Sequence, residues 1–423
     1  MIKNFKLYSN YIFKHNFLLQ QKIREIEEYY ENPKILDLKN ERFKRLINRV
    51  FDNNKFYKKL YAEHGIEKSS IKTLDDIKKL PIINKQIVVK HSKLIKQGVP
   101  LLIGKGYTSG TTGTPLEVYR SYNSILTENA YVWWYRIKSG LNPKDRKISI
   151  RGDLDRNKLY FLDKYSNTLH ISSFALNSTN IKEIVKLIKE FNPKAALGYP
   201  SSLFTISSWL LENNEELFIP LSFTSSESLL FFQEEKIKKA FNTNIFDWYG
   251  NSERTIALYR DENKYYEPVL YSINEYNVEN VITTSLIGDY FPLIRYEVND
   301  KIINLNDFNF KKKSTTISSI QGRIEEYIVL PDGSKVGSAA LSLIFKDIDI
   351  LNSQIIQNDK MSLVFNIVPG KHFSGKNKLL IKIQRKLGNS IQIYINLVEK
   401  SDILLTKSGK YKLVISKIKT INK

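Results

Sequence analysis

The N-terminal region carries apolar residues at helical spacing. Phe43, Leu46, Ile47, Val50 and Phe51 recur at intervals of three and four residues, which places their side chains on one face of an amphipathic helix. The same pattern extends over residues 1–65, and a shorter helical segment follows it and ends at Pro81, because proline lacks the N–H that a helix interior needs. Residues 1–80 are therefore predicted to be mainly helical.

Between about residues 145 and 300 the pattern changes to short β-type runs that alternate with longer amphipathic segments. The predicted strands cover residues 147–152, 194–199, 221–226 and 244–250, and the predicted helices between them cover residues 181–191, 201–211 and 229–241. This alternation predicts a parallel sheet of the α/β class. Ligands bind at the carboxyl ends of strands in such sheets, which makes residues 199–201, 225–227 and 249–251 candidate binding loops.

A different pattern begins after residue 322. Residues 327–337 read as strand, turn and strand, and a second hairpin is predicted to turn at Asn358-Asp359. A helix capped by Ser374 and ending near Gly388 follows, and then a strand at residues 391–398. We predict an α/β N-terminal domain over residues 1–322 and a small α+β C-terminal domain over residues 323–423.

Composition excludes several kinds of protein. The 423 residues are 42% hydrophobic and 26% charged, ordinary values for a globular chain and unlike those of a disordered one. The absence of cysteine excludes disulfides, thiolate metal sites and a cysteine nucleophile. The five histidines do not pair at His-x-x-x-His spacing, so a histidine-based zinc site is not expected.

The formal charge of +21 admits two interpretations. A polyanionic partner is one; a general enrichment in Lys, Asn and Ile, of the kind an AT-rich genome produces, is the other. The lysines are spread along the chain without aromatic interleaving, so no nucleic-acid partner is expected. No apolar run reaches the roughly 18 residues of a membrane span. The lysines within residues 1–19 indicate an amphipathic helix and not a signal peptide, and we predict a cytoplasmic protein.

The strongest local signal lies at residues 107–115, which read Tyr-Thr-Ser-Gly-Thr-Thr-Gly-Thr-Pro. Glycines let backbone N–H groups approach an anion, and hydroxyls donate further hydrogen bonds. The segment is not a P-loop, because no lysine follows its second glycine. Judged by these residues alone, an ordinary Ser/Thr/Gly surface loop is an open alternative.

Residues 108–116 resemble the phosphate-loop motif of adenylate-forming enzymes, which include acyl-CoA synthetases, the adenylation domains of peptide synthetases and luciferases. Leu116 stands where most of them have lysine, as in the phenylacetate–CoA ligase branch and its capsular-polysaccharide relatives. Segments at residues 53–66, 74–85 and 198–203 are similar to this branch in the same order. The resemblance extends from about Leu46 to the C-terminus.

The resemblance implies a multi-layer N-terminal domain and a mobile C-terminal domain that rotates between two half-reactions. A carboxylic acid would react with ATP and Mg²⁺ to give an acyl-adenylate and pyrophosphate. Coenzyme A would then take the acyl group as a thioester, or an amine, such as that of an amino sugar, would take it as an amide. The capsular relatives suggest surface-polysaccharide biosynthesis. The oligomeric state is left open.

The resemblance also implies a nucleotide site. The loop that would hold the β- and γ-phosphates of ATP consists of Thr108, Ser109, Gly110, Thr111, Thr112, Gly113 and Thr114. Ser226, Glu227 and Ser228 lie where the family places its adenine-binding segment. An alternative makes Ser226 or Ser228 the cap of a helix, and the two interpretations are compatible.

Two further motifs concern the adenosine and the metal ion. The segment Tyr249, Gly250, Asn251, Ser252 and Glu253 matches the family's YGxxE, in which Tyr249 would stack near the adenine and Glu253 would bind Mg²⁺. The alternative is a strand end with a solvated carboxylate.

Residues 293–300 resemble the family's IRYxxGD, in which Asp300 would accept hydrogen bonds from both ribose hydroxyls. Asn299 stands where the family has glycine, and asparagine tolerates a positive φ better than most residues. Arg323 would be the second contact to ribose and phosphate.

Residues 406–410 resemble the TxSGK motif of the family, whose lysine is catalytic. Lys410 would stabilise the negative charge that develops as the carboxylate attacks the α-phosphate, whereas Lys407 and Lys412 are predicted to be solvated.

Two other classes of protein stay open. Asn299 favours a non-catalytic adenylate-binding protein, which the presence of Glu253, Asp300, Arg323 and Lys410 opposes. The charge of +21 is the one feature that favours a basic nucleic-acid-binding protein.

Overall fold

The structure is a computed structural model, and it describes residues 16–99, 102–107, 116–151, 159–277, 280–323, 327–331, 335–337, 341, 343–345, 348–405 and 411–418. Its α-helices are α1 (Phe17–Glu31), α2 (Ile35–Asn53), α3 (Lys55–Glu63), α4 (Lys85–Ile95), α5 (Tyr122–Lys138), α6 (Ile181–Phe191), α7 (Pro200–Glu212), α8 (Phe231–Phe241) and α9 (Lys376–Leu387).

The strands begin with β1 (Ile103–Tyr107), β2 (Glu117–Ser121), β3 (Lys147–Arg151), β4 (Tyr160–Asp163), β5 (Thr168–Ser172), β6 (Ala195–Gly198), β7 (Leu221–Ser225), β8 (Asn244–Gly250), β9 (Ala257–Asp261) and β10 (Lys264–Tyr266). They continue with β11 (Ser272–Tyr276), β12 (Val281–Ser285), β13 (Tyr296–Val298), β14 (Asp300–Asn309), β15 (Ser314–Arg323), β16 (Tyr327–Val329), β17 (Lys335–Gly337), β18 (Ile350–Asp359), β19 (Ser362–Pro369), β20 (Gln392–Leu397) and β21 (Val414–Ser416).

The described residues form two compact units. The first unit takes them from Met1–Gly140 and Trp248–Ser319, and the second from Leu141–Asp247 and Ile320–Lys423. The domain boundary between residues 322 and 323 stays a prediction.

The first unit begins with the predicted amphipathic helices. The apolar face of α2 is buried, with Phe43 and Val50 at 0% exposure. Asn54 begins α3, because its side-chain oxygen accepts hydrogen bonds from the N–H groups of Phe56 and Tyr57, both at 3.1 Å. Further along, β1 and β2 pair antiparallel from Ile103 opposite Ser121 to Tyr107 opposite Glu117, so residues 108–116 connect the two strands of a hairpin.

The other strands of the first unit are antiparallel. The last residues of β8 pair with β9, which pairs with β10, and β10 pairs with β15. A separate three-stranded sheet has the order β11-β12-β13. Tyr249, at the end of β8, and Asp300, at the start of β14, therefore both lie at strand ends.

The second unit contains the predicted parallel sheet. Strand β3 pairs in parallel with β5 and with β6, and β6 pairs in parallel with β7. The order is β7-β6-β3-β5-β4, with β4 antiparallel at the edge. The strands are apolar on both faces, as in β6, where every residue is buried, because helices of βαβ units cover both faces of such sheets. The α/β class is confirmed.

The C-terminal region adds a four-stranded sheet of order β20-β19-β18-β21. Strands β18 and β19 form the predicted hairpin, but β18 continues through Asp359, and the Asp359 carboxylate accepts from the N–H of Met361 at 2.8 Å. The turn residues are therefore Lys360 and Met361, two residues later than predicted. Helix α9 ends at Gly388 as expected, whereas its N-cap position is Gly375 and not Ser374.

None of the helices in the described ranges combines the length and the apolar character that crossing a lipid bilayer requires.

Candidate active site

The first unit brings residues of two separate motifs together. The Tyr249 hydroxyl donates to Oδ2 of Asp300 at 2.6 Å, and the Tyr296 hydroxyl donates to Oε1 of Glu253 at 2.8 Å. Burial, together with the charges of Glu253 and Asp300, raises the pKa of Tyr296 far above its usual range. Tyr296 thus stays a protonated donor, and it orients the Glu253 carboxylate.

A tight turn positions Glu253 at the end of β8. The Asn251 side chain donates to Oγ1 of Thr255 at 2.7 Å and accepts from the Thr255 N–H at 2.9 Å. The N–H of Arg254 donates to the carbonyl of Asn251 at 3.1 Å. Within this turn Arg254 adopts a φ of 57°, which is uncommon for a residue with a Cβ and is often found at functional sites. Asn251 and Ser252 therefore shape the turn that presents Glu253.

Asn299 does not need the conformational freedom of glycine. It is exposed, and it is not one of the described residues with a positive φ. The left-handed residue of this segment is Arg295, with a φ of 49°. Its guanidinium group binds both carboxylate oxygens of Glu275, from Nε at 2.9 Å and from Nη2 at 2.8 Å. The substitution at 299 is consequently compatible with this backbone, and Asp300 keeps its bond to Tyr249.

Arg120 is a residue of this site that the sequence reasoning missed. It lies in β2, after the glycine-rich segment, and its Nη2 donates to the carbonyl oxygen of Ser252, the residue before Glu253. Burial and the neighbouring Arg254 lower the pKa of Arg120 to about 10. In a chain with 65 Lys and Arg residues, one arginine in a strand carries no local signal of this kind.

Ser226, Glu227 and Ser228 follow β7 in the second unit. Ser226 has a φ of 72°, a backbone conformation that is unusual for serine. Neither serine caps a helix: α8 begins at Phe231, its N-cap position is Leu230, and the Leu230 N–H donates to the Gln233 side chain at 3.2 Å. The capping alternative is therefore wrong.

Glu227 receives hydrogen bonds from two distant segments of the second unit. Its carboxylate accepts from the N–H and from the hydroxyl of Ser201, both at 3.1 Å. It also accepts from the N–H of Tyr411 at 2.7 Å, so Glu227 connects the end of β7 to the residue that follows Lys410. The adenine-binding role of residues 226–228 stays a prediction.

A buried glutamine holds both flanks of the segment that contains Lys410. Gln354, at 0% exposure, donates to the carbonyl oxygens of Leu404 at 3.0 Å and Lys412 at 3.1 Å, and it accepts from the Leu404 N–H at 3.1 Å. Leu405 and Tyr411 form an antiparallel bridge. The described residues on either side of 406–410 are thus held at neighbouring positions.

Several predicted residues lie outside the described part of the chain. These are Lys410 and the phosphate-loop residues Thr108, Ser109, Gly110, Thr111, Thr112, Gly113 and Thr114. Arg323 is the last residue of β15, and its side chain is likewise not described.

The donor set near Glu253 suits Mg²⁺ bound jointly with phosphate. Among the described residues no group of three or more His, Cys, Asp or Glu side chains could hold a metal ion by itself. Mg²⁺ commonly takes one or two carboxylates, with substrate phosphates and water as its other ligands. Glu253, which Tyr296 orients, fits that pattern.

Comparison with known structures identifies the class of the fold. The chain superimposes on 2-hydroxyisobutyryl-CoA ligase in its postadenylation state with a TM-score of 0.70, covering 90% of this chain and 88% of that one at 16% identity. The large α/β portion with a C-terminal domain is therefore the fold of adenylate-forming CoA ligases, and the fold and the homologues together support an AMP-forming ligase.

Sequence comparison identifies the individual relatives of the chain. Residues 328–417 match the CapK C-terminal domain. The chain is 26% identical to the protein CapK of Staphylococcus aureus, over 97% of its own length and 100% of that relative. It is 24% identical to the phenylacetate-coenzyme A ligase of Thermus thermophilus, over 53% of its own length and 52% of that relative. The chain is thus homologous to CapK and to phenylacetate–CoA ligases, as its motifs indicate.

Proposed function

We propose that this protein activates a carboxylic acid with ATP to give an acyl-adenylate and pyrophosphate, and then transfers the acyl group to coenzyme A. The observation that carries the proposal is the convergence of Tyr249, Glu253, Tyr296 and Asp300, since two motifs more than 40 residues apart supply a hydrogen-bonded set of two carboxylates and two tyrosines. The relatives named as coenzyme A ligases support this choice of acceptor.

Each residue has a part in the proposed reaction. The loop of residues 108–114 holds the β- and γ-phosphates, residues 226–228 border the adenine, and Arg323 binds ribose and phosphate. Asp300, oriented by Tyr249, accepts from the ribose hydroxyls. Mg²⁺ would neutralise charge on the phosphates when bound at Glu253. Lys410 stabilises the charge that develops on the α-phosphate.

The setting of this reaction is a finer proposal. We propose a role in surface-polysaccharide biosynthesis in the cytoplasm, because the motifs resemble those of the capsular-polysaccharide branch. Such a role would make the amine of an amino sugar the alternative acceptor.

The experiment is pyrophosphate release from MgATP with aryl, fatty, amino and sugar acids, each with and without coenzyme A. We expect release that depends on the acid, and a further increase with coenzyme A; an increase with amino sugars instead would select the amide product. ATP that binds without release for any acid would favour the non-catalytic adenylate-binding alternative.

Exchange of pyrophosphate into ATP tests the lysine. Lys410→Gln is expected to lower the exchange rate at least a hundredfold, about 2.7 kcal/mol or more of transition-state stabilisation. Lys407→Gln and Lys412→Gln remove the same charge from the same segment and are expected to leave the rate within about threefold. Equal losses in all three variants would contradict the assignment of Lys410.

A further inference from the structure

Two arginines of the first unit connect the same two segments of the chain, residues 120–124 and residues 252–254. Arg120, in β2, donates to the carbonyl oxygen of Ser252. Arg254 donates from Nη1 to the carbonyl oxygen of Ser124, at the start of α5, at 3.4 Å. Ser124 follows Arg120 closely in the chain, and Arg254 follows Ser252. The two side chains therefore run in opposite directions between these segments, and the charge of Arg254 acts on Arg120.

The positive charge of this pair is incompletely compensated. Arg295 of the same unit forms an ion pair with Glu275 at 2.8 Å, whereas in the described ranges no ion pair includes Arg120 or Arg254. Burial and the charge of Arg254 lower the pKa of Arg120, and Glu128 and Glu253 act on it in the opposite direction. Its Nε is buried without a hydrogen-bond partner among the described residues. Buried donors of this kind cost free energy unless a partner satisfies them.

A glycine provides the space that the Arg120 side chain occupies. A Cβ at Gly106 would lie 2.3 Å from Nη2 of Arg120 and 2.4 Å from its Cζ, so the guanidinium group rests directly on the backbone of β1. Gly106 lies two residues before Thr108. The arginine pair thus sits at the base of the hairpin whose connection is the predicted phosphate loop, and next to the turn that presents Glu253.

We propose that Arg120 and Arg254 together bind an oxyanion. Arginine binds phosphate and carboxylate groups through planar pairs of N–H donors, and a bound oxyanion would neutralise the pair and accept from its remaining donors. Two sources share this chemistry: the polyphosphate of ATP with its product pyrophosphate, and a second carboxylate on an acidic substrate. The choice between these sources rests on the proposed function.

The first arm of the test measures equilibrium binding of inorganic pyrophosphate with Mg²⁺, and of AMP, by calorimetry on the full chain. Arg120→Gln and Arg254→Gln are expected to weaken pyrophosphate binding at least tenfold and to change AMP binding less than twofold, because AMP lacks the β- and γ-phosphates. Gly106→Ala is also expected to weaken pyrophosphate binding at least tenfold, since the added Cβ displaces the guanidinium group of Arg120 without removing a charge. Arg45→Gln, at a side chain that is 71% exposed, is the control and is expected to leave both affinities unchanged.

The second arm compares dicarboxylic with monocarboxylic acids in the pyrophosphate-release assay. A loss of dicarboxylate preference of at least tenfold in the two arginine variants, with unchanged pyrophosphate binding, would assign the site to the acid substrate. If the arginine variants changed neither the pyrophosphate affinity nor the dicarboxylate preference, the proposal would be overturned. If Arg120→Gln does not fold, Gly106→Ala and Arg254→Gln test the same site.

Pyrophosphate binding can be measured without catalytic turnover. The proposed ligase function and the proposed oxyanion site can therefore be contradicted independently of each other. A wild-type protein that binds pyrophosphate through these arginines and adenylates no acid would contradict the proposed function alone. A protein that adenylates an acid normally without either arginine would contradict the oxyanion site alone.

Discussion

Lys400 shows at the scale of one residue how the fold changes the chemistry of a side chain. It lies in a short 3₁₀ helix of the second unit, Lys400–Asp402, and its Nζ donates to the carbonyl oxygen of Leu176 at 2.6 Å. Burial lowers the pKa of Lys400 to about 8, because the interior disfavours the charged form. The sequence, in which lysines are abundant, gives no sign that this one differs from the others.

This pKa predicts a pH dependence of stability. Between pH 8 and the ordinary lysine value near 10.5, the unfolded chain binds the proton and the folded chain releases it. The free energy of unfolding therefore rises with pH in this window, by about 1.4 kcal/mol per pH unit from this group. We expect the difference in unfolding free energy between wild type and Lys400→Met, measured by urea titration, to shift in favour of wild type from pH 8 to pH 10. A constant difference would show that Lys400 keeps its ordinary pKa.

At the scale of the element, strand β18 carries two buried glutamines whose side chains bond different segments of the backbone. Gln354 bonds the two flanks of residues 406–410. Gln357, also at 0% exposure, accepts from the N–H of Val329 at 2.8 Å and donates to its carbonyl oxygen at 2.7 Å. Gln354 therefore connects Leu404 to Lys412, and Gln357 attaches β16 to β18.

These two glutamines form a matched pair for a test. Gln354→Leu and Gln357→Leu each remove the side-chain partner of several backbone groups, and we expect each to cost about 1–3 kcal/mol of unfolding free energy. Gln354→Leu is also expected to lower the kcat of ATP–pyrophosphate exchange at least tenfold with an unchanged KM for ATP, because Leu404 and Lys412, which flank Lys410 in the chain, lose the side chain that connects them. Gln357→Leu is expected to keep kcat within about twofold. Parallel effects of both variants on kcat would mean that Gln354 acts through stability alone.

At the scale of the whole molecule, one core joins distant parts of the chain. In the second unit Phe232 of α8 contacts Phe204 of α7, with ring centroids 5.3 Å apart, and Phe345, with centroids 5.8 Å apart. Phe345 contacts Phe365 of β19 at 6.4 Å. In addition, Nζ of Lys236 donates to Oδ1 of Asp349 at 3.1 Å. The parallel sheet and the C-terminal sheet therefore share a hydrophobic core in this unit.

Neighbouring phenylalanines of α8 test the importance of this core. Phe232 is 5% exposed, whereas Phe231 is 37% exposed. Phe232→Ala is expected to lower the free energy of unfolding by about 3–5 kcal/mol, since it leaves a cavity between the rings of Phe204 and Phe345. Phe231→Ala is expected to cost less than about 1 kcal/mol. Similar urea midpoints for the two variants would argue against a shared core.

The sequence predicted most of the helices and the buried strands β3, β6 and β7, because their signals are local, whereas the strands β9–β15 were not predicted. Hydrophobic periodicity is sufficient to place α2 and the buried strands β3, β6 and β7. Helix α6 spans the predicted residues, Ile181–Phe191, with Asn180 at its N-cap position. The capping bonds were less predictable. Asn180 and Glu183 resemble a capping box, yet the Asn180 side chain makes no capping bond, and the side chain of Asn177 accepts from the N–H groups of Thr179 and Asn180 instead.

The candidate site was predictable in part. Motifs identified Tyr249, Glu253 and Asp300 as candidate site residues, because their spacing along the chain carries the resemblance to known ligases. Trp133 and Trp134, which the sequence places at helical spacing, could line an acyl pocket or lie in the core, and both are buried, at 6% and 3% exposure. Arg120, Arg254 and Gln354 were missed, because their partners are up to 132 residues away and only folding brings the partners together.

The sequence by itself therefore determined the α/β class, the helical N-terminal region and the motifs of an adenylate-forming ligase, since each depends on residue order and local spacing. Only the tertiary structure decided that Asp300 bonds Tyr249, that Glu227 accepts from the N–H of Tyr411, and that Arg120 and Arg254 donate to the carbonyl oxygens of Ser252 and Ser124. Such contacts depend on which surfaces of distant segments meet when the core forms, and burial then sets their charge and hydrogen bonding.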